Sequence, residues 1–185
     1  MYDDILLDTE DKMEKAVAHV VTEFNHIRTG RATPGLVDGV KVDYYGAPTP
    51  LKQLATISVP EARLIVIKPF DPGSLKEIEK AIQRSELGVT PQSDGKLVRL
   101  ALPPLSEEQR RKLAARCKEL AEAARVSIRN IRRDSNKAAE GALSGGGMTE
   151  DQEAKLKDEV QALTKQYEGK VDEALAKKTK EIMEV

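Results

Sequence analysis

Residues 125–136 read RVSIRNIRRDSN and place Arg125, Arg129, Arg132 and Arg133 within nine positions. The chemistry available to such side chains is the recognition of anions. A guanidinium is planar, stays charged and carries a fork of donors that matches phosphate oxygens and base edges. On a helix turning about 100° per residue, Arg111, Lys118, Arg125 and Arg132 recur every seven positions and form one stripe. Arg129 shares its face, and Arg110 and Arg133 lie at its edges. No aromatic residue falls in the stripe, so phosphate contact with folded RNA fits better than base stacking on a single strand. A second reading stays open: a solvated helix face making i,i+4 pairs and cross-helix ion pairs. The preference for arginine, and the adjacent Arg132 and Arg133, favour the polyanion.

Other reactive side chains offer little. His19 and His26 are seven apart, whereas a metal pair on a helix wants i,i+4 spacing and a third ligand. They read as surface histidines. Cys117 falls on an apolar seam with no histidine near it in sequence and reads as a core thiol. The SGGG run at 144–147 lacks the Lys-Ser/Thr of a phosphate loop and reads as a turn. Tyr44 and Tyr45 head a strand turn, one expected to pack inward and the other to be exposed. No triad, paired catalytic carboxylates or nucleotide fingerprint is found. Enzymatic activity, a cofactor and a metal are therefore not expected.

The stripe needs a long helix to carry it, and the chain supplies three. Met13, Val17, Val20, Phe24 and Ile27 form a single apolar seam that is expected to end at Gly30, with Pro34 preventing continuation. A second helix follows Pro103-Pro104, with Ser106 and Gln109 in capping-box spacing and a seam of Leu113, Cys117, Leu120, Ala124, Ile128 and Ile131. After SGGG, Thr149 and Gln152 repeat the capping spacing. Leu156, Val160, Leu163, Tyr167, Val171 and Leu175 make the third seam, which Ile182 can extend.

The middle of the chain changes character. VKVDYYGAPTPL reads as strand and turn, RLIVIKPF as a buried strand and DGKLVRLALPP as another alternating strand. Between them, SLKEIEKAIQRSELG reads as a short helix, with Ser74 and Glu77 as its capping box and Gly88 as its stop. The expected fold is α+β. A three-helix bundle is built from 1–30 and 105–185, and a small β/α/β domain, 31–104, is inserted between its first two helices. The two crossings are short and rich in Gly or Pro. They suggest a hinge at Gly30, Arg31, Pro34, Pro103, Pro104 and Leu105.

Composition bounds these readings. A third of the chain is charged, 3% is aromatic and there is no Trp, which favours long aliphatic seams. The formal net charge of −1 hides strong local differences. Residues 105–137 hold ten basic residues against five acidic, while 1–30 hold three against seven. One cysteine leaves no internal disulfide and points to a reducing, cytoplasmic setting. The acidic start, MYDDILLDTEDK, does not read as a signal peptide, and no run approaches the roughly 20 apolar residues of a membrane span.

Three motifs carry a resemblance. IRTGRATPGLVDGVKVDYYGAPTPLKQLA, LPPLSEEQRRKL and ARVSIRNIRRDSN closely resemble bacterial ribosome recycling factor, and chain length and domain order fit as well. The resemblance implies an L-shaped molecule of tRNA-like dimensions with a bundle domain and a three-layer β/α/β sandwich. It implies action after termination with elongation factor G and GTP, splitting the ribosome into subunits and releasing mRNA and deacylated tRNA, with no active site of its own. The bundle would lie across the A and P sites of the large subunit against ribosomal RNA. By motif match, Arg129, Arg132 and Arg133 are the foremost RNA contacts, followed by Arg28 and Arg31, then Arg110 and Arg125. A cytoplasmic monomer is expected. The rival is a coiled-coil adaptor whose arginines merely pair with its own acids.

Overall fold

The computed structural model describes residues 1–184. In chain order the elements are α1 (Tyr2–His26), a 3-10 turn (Pro34–Val37), β1 (Lys41–Tyr44), β2 (Ala47–Pro50), α2 (Leu51–Leu54), β3 (Ala55–Glu61) and β4 (Leu64–Pro69). A second 3-10 turn (Pro72–Ser74), α3 (Leu75–Arg84), β5 (Gln92–Ser93), β6 (Val98–Ala101), α4 (Glu107–Ser144) and α5 (Glu150–Met183) complete the chain. The chain forms two compact units. One comprises Met1–Phe24 and Ala114–Thr179; the other comprises Asn25–Leu113 and the end of the chain from Lys180.

The helical unit packs α1, α4 and α5 on one another. Met13 and Val20 of α1, Cys117, Ala121 and Ile128 of α4, and Leu156, Val160 and Val171 of α5 are all essentially inaccessible. Burying each large aliphatic side chain contributes roughly 1.5–3 kcal/mol, so the three stripes stabilise one another where none would stand alone. The buried faces are wider than single seams. Ala121 is buried beside half-buried Leu120, and Thr164 beside half-buried Leu163. Each helix faces two neighbours, and its contact surface therefore spreads by one position. A polar pair crosses the core: the Thr9 and Ser135 hydroxyls meet at 2.6 Å, joining α1 to α4. One hydroxyl donates to the other, and the one that accepts donates within its own helix, Ser135 to Ile131 O or Thr9 to Ile5 O. Neither oxygen is left unsatisfied.

Two of the three expected capping boxes form. Ser106 Oγ accepts from Gln109 N at 3.2 Å while Gln109 Oε1 accepts from Ser106 N at 3.0 Å. Thr149 and Gln152 make the same reciprocal pair at 3.3 and 3.0 Å. The turn between α4 and α5 is closed by Gly146 N to Leu143 O and Gly147 N to Ala142 O, with Gly146 at φ 72°. That left-handed conformation is why glycine stands there.

The sheet unit holds a β1–β2 hairpin and a four-stranded antiparallel sheet in the order β3-β4-β6-β5. The hairpin turns through Tyr45 and Gly46, both at positive φ, as a two-residue primed turn requires. Ile65 and Ile67 of β4 and Val98 and Leu100 of β6 face one core with Ile78 and Ile82 of α3 and Val42 of β1. The alternating reading of β6, with Val98, Leu100 and Leu102 inward, holds.

Three local expectations are corrected. First, α1 ends at His26, before Gly30. Ile27 and Thr29 turn inward, and the Thr29 hydroxyl bonds the backbone of Arg31, offering the chain an alternative to the helical ladder. Second, Ser74 caps nothing with its side chain. Asp71 caps the preceding 3-10 turn by accepting from Gly73 N at 2.9 Å, and Ser74 Oγ donates to Asp71 O at 2.7 Å. Glu77 pairs with Lys80 instead. Third, α3 stops at Arg84, ahead of Gly88, where the Ser85 hydroxyl donates to Ile82 O.

Candidate nucleic-acid interface

The arginine stripe lies on α4, whose buried row is Cys117, Ala121, Ala124, Ile128, Ser135 and Ala139. Its members fall into two classes. Arg125 is committed internally: Nε and Nη2 donate to Asp172 Oδ1 of α5 at 2.9 and 2.6 Å, and Nη1 donates to Glu122 Oε2 at 2.9 Å. These bonds, with the Asp172 bond foremost, raise its pKa further. Arg129 reaches Glu122 at 2.5 Å and Glu168 at 3.9 Å. The Glu122 carboxyl, bonded by Arg125 and then by Arg129, is held below the usual carboxylate range. Arg111, Arg125 and Arg129 thus each have a carboxylate of the protein within reach, as the ion-pair reading of the stripe expects. Glu122 was legible on the same helix face, but Asp172 and Glu168 arrive from α5 and could be placed only by the packing.

Arg132 and Arg133 differ in kind. Arg132 Nη1 donates to the Gln161 side-chain oxygen at 3.1 Å, and Arg133 donates to the Asn130 side chain. Neutral amides orient a guanidinium without cancelling its charge. Among the described residues neither has a carboxylate within ion-pair distance, and Arg133 is exposed. Arg110, half-buried near the start of α4, likewise has none. Arg111 pairs with Glu107 at 2.5 Å in the ordinary i,i+4 manner.

The two arginines ahead of the sheet unit's 3-10 turn also separate. Arg28 is half-buried and its Nη2 donates to Pro103 O, so its guanidinium links the two stretches that flank the sheet. Burial lowers its pKa, and its Nε has no hydrogen-bond partner among the described residues. Arg31 is exposed and pairs with no carboxylate there.

The remaining reactive groups lie apart from the stripe. Cys117 is buried, and burial pushes its thiol up, away from the nucleophilic thiolate. His19 and His26 are exposed, and among the described residues no His, Cys, Asp and Glu side chains gather in a metal-binding group. Tyr44 is half-buried with its hydroxyl 3.4 Å from Asp71, and Tyr45 is exposed. No helix of the described residues is long and apolar enough to cross a membrane.

Residues 20–183 match the profile of the family described as ribosome recycling factor. The chain belongs to the ribosome recycling factor family. It is 51% identical over 183 residues to the ribosome-recycling factor of Oleidesulfovibrio alaskensis, covering 99% of this chain and 100% of that one. It is 50% identical over 181 residues to that of Geobacillus kaustophilus, covering 98% of each. A solution structure of a ribosome recycling factor superposes with a TM-score of 0.81 at 40% identity, covering 100% of this chain and 98% of that one. A second relative superposes with a TM-score of 0.69 at 35% identity over the full length of both. It is the Thermus thermophilus ribosome recycling factor, in a set of models that places it with Escherichia coli elongation factor G on the E. coli post-termination complex. This is a family of translation factors, not of enzymes, which agrees with the absence of any catalytic constellation in the sequence. The fold of long helices with a small sheet unit is shared with both solved relatives.

Proposed function

We propose that this chain binds the post-termination ribosome and, with elongation factor G and GTP, splits it into subunits, releasing mRNA and deacylated tRNA. The observation that carries this is family membership over nearly the whole chain, joined to a relative placed with elongation factor G on that complex. The surface chemistry supports it. Arg132 and Arg133 present charge that no carboxylate of the described residues offsets. An RNA backbone on the large subunit is a partner of matching chemistry.

Within this reading the RNA contacts are Arg132 and Arg133 first, then Arg31 and Arg110. Arg129 is shared between RNA and Glu122. Arg125 and Arg28 act mainly through the protein, setting α4 against α5 and joining the two stretches that flank the sheet. The protein works as a monomer in the cytoplasm. The sheet unit swings about Gly30, Arg31, Pro34, Pro103, Pro104 and Leu105 when the GTPase engages it. The adaptor reading expects arginines paired with the protein's own acids. Arg125 and Arg129 meet that expectation, whereas Arg132 and Arg133 do not.

The test is light scattering of purified post-termination ribosomes. Splitting should require this protein, elongation factor G and GTP together. Intact ribosomes in the presence of all three would sink the proposal.

A further inference from the structure

The sheet unit gathers a second set of arginines that the α4 stripe does not include. Ala32 N donates to Ala62 O at 2.7 Å, and Leu102 N donates to Arg63 O at 2.8 Å. These two bonds tie the stretches before and after the sheet to the turn between β3 and β4. Arg31 and Arg63 thus stand one residue to either side of a shared backbone bond. Arg28, bonded to Pro103 O, is drawn to the same place. Arg31 and Arg63 are both exposed. Among the described residues none of the three has a carboxylate within ion-pair distance. Glu61, the acid on the same turn, pairs with no cation there. Arg99, on neighbouring β6, does have an acid within reach, Asp94 at 3.8 Å.

Arginines on adjoining backbone positions repel over roughly a Debye length, about 8 Å at physiological salt. Here main-chain bonds hold their backbones together, and no carboxylate of the described residues lies within ion-pair distance of them. Backbone bonds that seat unpaired arginines on neighbouring segments lower the ordering cost of binding a polyanion there. We propose that Arg63 contacts phosphate. With Arg31 it forms an RNA-backbone site on the sheet unit, and Arg28 adds fixed positive charge behind it. The proposal rests on the ribosome-binding reading above, and Arg63 lies outside every motif that suggested RNA contact from sequence.

The experiment measures affinity of the full-length protein for purified large ribosomal subunits across a series of salt concentrations, for wild type, Arg63→Ala, Arg63→Gln and Arg63→Lys. Arg63→Ala and Arg63→Gln should bind more weakly at low salt and lower the log–log salt slope by roughly 0.7 to 0.9 of a unit, the signature of one lost phosphate contact. Arg63→Lys should keep the wild-type slope. The glutamine variant keeps most of the side chain's reach without its charge, so a folding defect confined to alanine does not obscure the result. Wild-type slope and affinity in both neutral variants would overturn the assignment of Arg63 and leave ribosome binding standing. Wild type showing no salt-dependent binding would overturn both.

Discussion

Arg125 and Arg132 stand two helical turns apart on one face of α4, yet their surroundings differ in charge. Arg125 has Asp172 and Glu122; Arg132 has the amide of Gln161. Removing Arg125 takes away a bond between helices. Arg125→Ala should lower the melting temperature by roughly 1–3 °C and leave the salt slope of subunit binding nearly unchanged. Arg132→Ala should do the reverse: near-normal melting, weaker subunit binding and a shallower slope. Paired thermal melts and binding isotherms decide this, and exchanged outcomes would show that the roles are assigned backwards. The pairing also sets a pH dependence. The Glu122 carboxyl is held below its usual value by Arg125 and Arg129. Its contribution is therefore complete above the unfolded glutamate value of about 4.3 and is lost as pH falls through the lower folded value. Acid melts of Arg125→Ala should show a smaller decline below about pH 4 than wild type.

Helix starts show how far local pattern reaches. At three expected helix starts a Ser or Thr stands three positions ahead of Glu or Gln. The reciprocal bonds form at Ser106 and Thr149 and fail at Ser74. The difference lies upstream. Asp71-Pro72 begins a 3-10 turn in which Asp71 is the better cap and Pro72 supplies the fixed φ, so Ser74 is already helical when α3 begins. Thr149→Ala should cost about 1 kcal/mol in chemical denaturation, the usual value of a lost N-cap. Ser74→Ala removes only a bond to the Asp71 carbonyl and should leave the helicity of α3 intact. Equal fraying of the two helices, read by amide exchange, would contradict that distinction. The apolar seams were legible because a helix repeats every 3.6 residues wherever it is placed. Their width was not, because it depends on how many neighbours each helix meets.

At the level of the folded chain, the two compact units divide inside α1 and α4, and both stretches flanking the sheet are hydrogen-bonded to the β3–β4 turn. Gly30 lies just outside that attachment. A Cβ there would meet no atom within 4 Å, and its φ is not left-handed. Gly30→Ala is thus sterically free and restricts the backbone. It should keep or raise stability by roughly 0.4–1 kcal/mol, preserve subunit binding and slow splitting. Undiminished splitting would count against a pivot at this position. The buried Thr9–Ser135 pair serves the helical unit, since two hydroxyls that must meet favour one register of α1 on α4.

Local sequence was sufficient for the three long helices, strands β1, β4 and β6, two of the caps and the concentration of arginine on α4, whereas β2 read as turn and β3 went unread. Each legible feature depends on residue periodicity, backbone preference or charge within a few turns. The partners of those arginines were beyond it. Whether a guanidinium is neutralised depends on which acid lies opposite, and Asp172 reaches Arg125 from 47 positions along the chain. The same limit hid Arg63, an unremarkable residue in a turn until the backbone bonds of Ala32 and Leu102 bring Arg31 and Pro103 beside it. Coulomb energy follows distance in space, and only the packing of the elements converts separation along the chain into that distance.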